Sequence, residues 1–152
     1  MINLSKHFTL EELIRSEIAA RKNIDNTPSE TIVKELSKVA GLLEQVRALL
    51  GNHPISVSSG YRCSKLNSEV GSKPSSKHVQ GLAVDFRCDN YGSPVDIVKT
   101  IQASNLMYDQ CILEFHDPSN PHEGWVHIGL GRDMRCQVLT VNSHGTFPGI
   151  RV

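Results

Sequence analysis

The sequence predicts an α+β fold, with N-terminal helices packed on a small antiparallel sheet. Three observations carry this. Apolar residues between Thr9 and Leu50 recur at helical spacing. Those after Pro54 mostly alternate or run in short blocks of strand type, and turn-forming residues separate the blocks. Helices first and then mostly strands joined by turns is the pattern of an α+β domain. The 152 residues suffice for one domain with a real core. One domain over 1–152 is expected, with a helical part over about 8–50 and a sheet part over about 54–141.

Each element has a local cause. Thr9-Leu-Glu-Glu12 is a capping box, a hydroxyl at the cap and a carboxylate three residues on. Leu10, Leu13, Ile14 and Ile18 then form one stripe, and the polar run Lys22–Asn26 interrupts it. Thr27-Pro28-Ser29-Glu30 starts a second helix with proline at the first helical position. Ile32, Leu36, Val39, Leu43, Val46 and Leu50 follow at spacings of 4, 3, 4, 3 and 4, and Gly51-Asn52 ends the run. This helix reads as core scaffold. Ile55–Ser58 alternates like a strand and leads into Ser59-Gly60-Tyr61-Arg62. A short helix spans about 64–70, a strand 82–86, and a capped helix starting at Ser93-Pro94 runs to about Ser104. Asp109–His116 and Trp125–Leu130 read as paired strands, and Arg135–Val141 as a third.

Composition narrows the function classes. Sixteen basic residues balance sixteen acidic ones, so no net field favours nucleic acid or an anionic membrane. No apolar run approaches the ~20 residues of a membrane helix. The start Met-Ile-Asn-Leu-Ser-Lys-His lacks the layout of a signal peptide, so cytoplasmic synthesis is expected. Cys63, Cys88, Cys111 and Cys136 form no Cys-x-x-Cys pair and read as reduced, mostly buried thiols.

The chemically informative stretch is Ser76-Lys-His78-Val-Gln-Gly81-Leu-Ala83-Val-Asp85, with a second histidine in Gly124-Trp125-Val126-His127. Two imidazoles and one carboxylate form a three-ligand set for one catalytic zinc with a position open to water. Gly81 and Ala83 keep the chain slim between His78 and Asp85, so the two can converge. Taken singly, His127 between Val126 and Ile128 reads more readily as an ordinary core or surface histidine than as a ligand. The combination gives the set its weight.

Ser59-Gly-Tyr-Arg62, Ser-x-His-x-x-Gly-x-Ala-x-Asp (76–85) and Trp-Val-His (125–127) together resemble the motifs of the M15 zinc peptidases, the D-alanyl-D-alanine carboxypeptidase-like enzymes that share a fold with the hedgehog signalling domain. The resemblance runs from about residue 8 to 130, and Phe8-Thr-Leu-Glu-Glu is similar to the phage and prophage branch. It implies that His78, Asp85 and His127 bind zinc, and that Arg62 and Ser76 engage the substrate. A planar guanidinium suits a peptide carboxylate or a developing oxyanion. Structural readings stand beside these: Arg62 as a loop tie, Ser76 as a turn cap.

The proton acceptor departs from the family's spacing, because positions 124 and 125 hold glycine and tryptophan. The candidates rank Glu114, then Glu123, His122 and His116. If 109–116 and 125–130 pair with partner numbers summing to 241, Glu114 falls opposite His127, with Cβ atoms ~5 Å apart. The resemblance implies hydrolysis of amide bonds in peptidoglycan stem peptides by a monomer, as a D-Ala-D-Ala-type carboxypeptidase or an endopeptidase. Its place of action is then the cell wall or periplasm, after release or as part of a virion. The competing expectation is a zinc-containing wall-binding or phage structural module without catalysis.

Overall fold

The computed structural model describes residues 1–152. The capping box forms as expected: Thr9 accepts from Glu12 N, and Glu12 accepts from Thr9 N. It opens a helix of one turn only, α1 (Leu10–Ile14). Ser16 then caps a second short helix, α2 (Glu17–Arg21). The stripe read as one helix is therefore two. The break has a tertiary cause. The carbonyls of Leu13 and Ile14, which a longer helix would use internally, accept instead from Tyr61 N at 2.7 Å and Asn26 Nδ2 at 2.8 Å.

The long helix α3 (Glu30–Leu49) is capped by Ser29, so Pro28 lies just outside it rather than at its first position. Leu36, Val39, Leu43 and Val46 on α3 are fully buried and share one core cluster with Val84, Phe86, Val126 and Ile128. The later elements are β1 (Ser56–Ser59), α4 (Ser64–Glu69), a single 3-10 turn at Lys77–Gln80, β2 (Ala83–Arg87), α5 (Pro94–Gln102), β3 (Gln110–Glu114), β4 (Trp125–Gly129), β5 (Gln137–Asn142) and β6 (Gly145–Pro148).

The six strands form one sheet in the order β1-β2-β4-β3-β5-β6. The sheet is not purely antiparallel: β5 runs parallel to β3, pairing Gln110 with Gln137. The reason lies in β4, which ends at Gly129 opposite Gln110. A short link from that end delivers the chain to the start of β3, so β5 must run in the same direction. Arg135 forks onto Asp109 at 2.7 and 2.9 Å and pins the link there. The hairpin strand β6 carries the sheet to Pro148, beyond the expected end at 141.

The β3–β4 register also differs from the expected one. Glu114 pairs with Trp125 and Ile112 with His127, so partner numbers sum to 239 rather than 241. The strands close earlier because Phe115 leaves the sheet at φ 51° and Gly124 turns at φ 84°. A Cβ on Gly124 would stand 2.6 Å from the Glu114 carbonyl oxygen, so only glycine fits there. An offset of two preserves the face, because side chains alternate with period two. All four cysteines are free, but only Cys88 and Cys111 are buried; Cys63 is half-buried and Cys136 exposed. No helix is long and apolar enough to cross a membrane.

The N-terminal segment is tied to α3 through Glu44, which accepts from Ser5 Oγ at 2.5 Å, His7 N at 2.7 Å and His7 Nδ1 at 2.7 Å. Burial opposes the Glu44 charge, but these bonds prevail and hold its pKa down to about 2. A depressed carboxyl stabilises the fold above its unfolded pKa of 4.5 and loses that contribution as pH falls toward about 2. Urea unfolding at stepped pH checks this: wild type exceeds Glu44→Gln in stability at pH 7, and the gap closes across that acid window. A gap that persists unchanged at the acid end contradicts the assignment.

Candidate metal centre

The sheet has two chemically distinct faces. Val84 and Phe86 on β2 and Val126 and Ile128 on β4 point into the helical core. Alternation turns Asp85 and His127 to the opposite face. These two are direct cross-strand partners, with Ile112 of β3 on the other side of His127. His78 comes from the 3-10 turn, which Ser76 caps by accepting from His78 N at 3.3 Å. The turn and the strand after it bring His78 Nε2 to 3.2 Å from Asp85 Oδ1. His127 Nδ1 lies 3.0 Å from the same oxygen. His78, Asp85 and His127 are the one group of three or more metal-type side chains in the chain, with ligand atoms within 4.8 Å of one another.

Protonation follows from the partners. His78 Nδ1 lies 2.7 Å from the Gly60 carbonyl oxygen, which can only accept, so Nδ1 carries the proton and donates. In the neutral ring Nε2 then holds its lone pair toward Asp85. A lone pair, a carboxylate oxygen and a second imidazole nitrogen facing one another repel unless a proton or a cation lies among them. The site is secluded: the side chains of His78, Asp85 and His127 are 4%, 11% and 12% exposed. Burial alone would raise the Asp85 pKa, but its close contacts with His127 and His78 hold it well below the usual carboxylate range. A nitrogen–oxygen–nitrogen donor set, converging and with one imidazole locked by a carbonyl behind it, fits a divalent metal ion.

Glu114 stands beside this group, with Oε1 3.7 Å from His127 Nδ1. Burial raises its pKa to about 7, helped by the charge on Asp85 and opposed by His127, the Trp125 indole and Arg62. Arg62 Nη2 is 3.4 Å from Ser76 Oγ, and Arg62 Nε is buried with no hydrogen-bond partner. Burial lowers the pKa of Arg62, while Asp85 and Glu114 pull it back up. Arg62, Ser76, His78, Asp85, Glu114 and His127 thus gather at one place. The other base candidates lie apart. His122 and Glu123 are exposed in the 115–124 loop. Glu123 and His116 line a separate hollow against the start of α5 with Pro94 and Asp96.

Two contributors escaped sequence reasoning. The Gly60 carbonyl orients His78; nothing in Ser-Gly-Tyr-Arg signals it, because the contact spans eighteen positions. Trp125 stands on the site face, tilted against Phe115 at 5.5 Å between ring centroids, with its indole N–H buried beside its cross-strand partner Glu114. Its signal was present, since Trp125 and His127 are two apart on one strand.

The sequence model of the family described as Peptidase M15 matches residues 6–128. The chain belongs to the peptidase M15 family, and membership supports a peptidase function. The matched span reaches one residue past His127 and leaves β5 and β6 outside it. Among curated proteins none matches at a significant level.

A Cβ on Gly60 would collide with the Leu13 carbonyl oxygen. Gly60→Ala therefore displaces the carbonyl that holds His78. Metal affinity falls on the order of 10–100-fold, as for other lost ligand supports, in a competitive titration against a chelator. Unchanged affinity would show that His78 is oriented by something else.

Proposed function

We propose that the chain is a zinc peptidase that hydrolyses amide bonds in peptidoglycan stem peptides. The observation that carries this is the convergence of His78, Asp85 and His127 beside Glu114, in a family of zinc peptidases. The hedgehog/DD-peptidase fold belongs to the same reading. When bound by these three side chains, zinc supplies Lewis acidity, polarising an amide carbonyl and bringing the pKa of a water to ~7.

The remaining roles fall to the chain. The Glu114 carboxylate takes a proton from water as the water oxygen bonds to the carbonyl carbon. It returns that proton to the amine nitrogen as the C–N bond breaks, so one group acts as base and then as acid. Its raised pKa suits both steps near neutral pH. Arg62 has an unpartnered donor and faces the negative charge that develops on the carbonyl oxygen or the carboxylate of the bound peptide. Ser76 holds the start of the His78 turn and hydrogen-bonds the arginine, so its role is to position both.

Carboxypeptidase action on D-Ala-D-Ala ends and endopeptidase action within the stem both use this machinery. Action at the wall, as a phage or prophage lysis enzyme or virion component working as a monomer, completes the reading. Mass spectrometry of muropeptides after digestion tests it. Wild type with zinc releases new amino groups, Glu114→Gln retains metal but loses about 10²–10⁴ in rate, and Glu123→Ala cuts as wild type does. Full turnover in Glu114→Gln, or none in zinc-loaded wild type on any wall chemotype, overturns it; the second result points to a binding module.

A further inference from the structure

A hollow of about 590 Å³ lies beside the metal group rather than over it. It runs along the outer edge of β1 to the turn between α1 and α2. Arg15, Arg21 and Arg62 line it, with Glu17 the one acidic residue among the lining groups. Arg15 and Arg21 are exposed and make no ion pair or side-chain hydrogen bond. The groove therefore carries a net positive charge that the protein leaves uncompensated.

The edge itself is open. β1 is the terminal strand and pairs only with β2. No other backbone hydrogen bond reaches Ser56–Ser59, so its outer N–H and C=O groups are free. β1 is short and shifts register between Val57 and Ser59, but its outer edge stays unpaired, and an unpaired strand edge can accept an extended peptide as an added strand. The groove is also continuous with the site. Ser59 pairs with Asp85, Ser58 Oγ donates to the Asp85 carbonyl at 3.3 Å, and Arg62 belongs to both places.

We infer that this groove binds the part of the substrate away from the scissile amide, as an extended peptide laid on the β1 edge with its carboxylates on Arg15 and Arg21. The inference rests on the peptidase reading and makes these two arginines specificity determinants for acidic peptides. Both lie outside the metal group and its base.

Binding rather than turnover separates the two ideas. Fluorescence anisotropy measures a labelled acidic stem peptide, and the same peptide with its carboxylates distant from the scissile bond amidated, on the zinc-loaded full chain. Wild type prefers the acidic form, and Arg15→Glu with Arg21→Glu weakens it at least about fivefold, with added salt narrowing the gap. The paired Arg→Lys substitutions keep affinity within about twofold, since charge rather than fork geometry is required at an exposed groove. The amidated peptide binds all three proteins alike. Equal affinity of wild type for both peptides, or an unchanged affinity in the reversal variant, overturns the groove even if wild type cuts wall peptides. Charge-dependent binding without any cleavage supports the groove and counts against the peptidase reading alone.

Discussion

Asp85 Oδ1 faces two imidazole nitrogens at 3.0 and 3.2 Å, and much of the structure exists to hold that arrangement. A buried carboxylate facing two imidazole nitrogens is unfavourable unless a proton or a cation lies among them. The fold keeps it from relaxing on three sides. Asp85 is fixed on β2, between β1 and β4; His127 is its direct partner on β4; and His78 is anchored from behind by the Gly60 carbonyl. The Gly60 carbonyl is in turn placed by α1, whose Leu13 carbonyl accepts from Tyr61 N. The short first helix thus bears on the chemistry through two hydrogen bonds, and its termination at Ile14 is part of that support.

The two faces of the sheet divide the labour. The inner face is apolar and packs on α3 and α5, giving the strands a rigid base. The outer face carries Asp85, His127, Glu114 and Trp125, held at spacings set by strand pairing rather than by loops. Sites on strands keep side chains closer to a working geometry than sites on loops do. The parallel strand β5 matters here too. It covers the far side of β3, pairs Val141 with Glu114 and leaves the Glu114 carboxyl half-buried. That burial is the main cause of its raised pKa.

Much of the site was legible in the sequence because its determinants are local or periodic. The ten-residue run from Ser76 to Asp85 contains both the turn and the strand that bring His78 and Asp85 together. The face of Glu114 followed from period two and survived a register offset of two. Caps at Thr9 and Ser93 are short-range hydrogen bonds and could be read directly, whereas the cap of α3 fell on Ser29, two residues later than the start with Pro28 in first position implied. What stayed hidden depends on distant partners. The break after Ile14 reflects Tyr61 and Asn26, the exact pairing of Glu114 reflects positive φ at Phe115 and the Gly124 turn, and the parallel entry of β5 reflects where β4 ends. The Gly60 carbonyl has no side chain to announce it.

A metal held by the nitrogen and oxygen set is distinct from one caught adventitiously on any of the four free thiols, none of which joins a group of metal-type side chains. X-ray absorption at the zinc edge of the dialysed full chain decides between them. One zinc per chain is expected, with imidazole and light-atom scatterers at about 2.0–2.1 Å and no sulfur shell. A shell at about 2.3 Å, or no zinc retained at all, would contradict it.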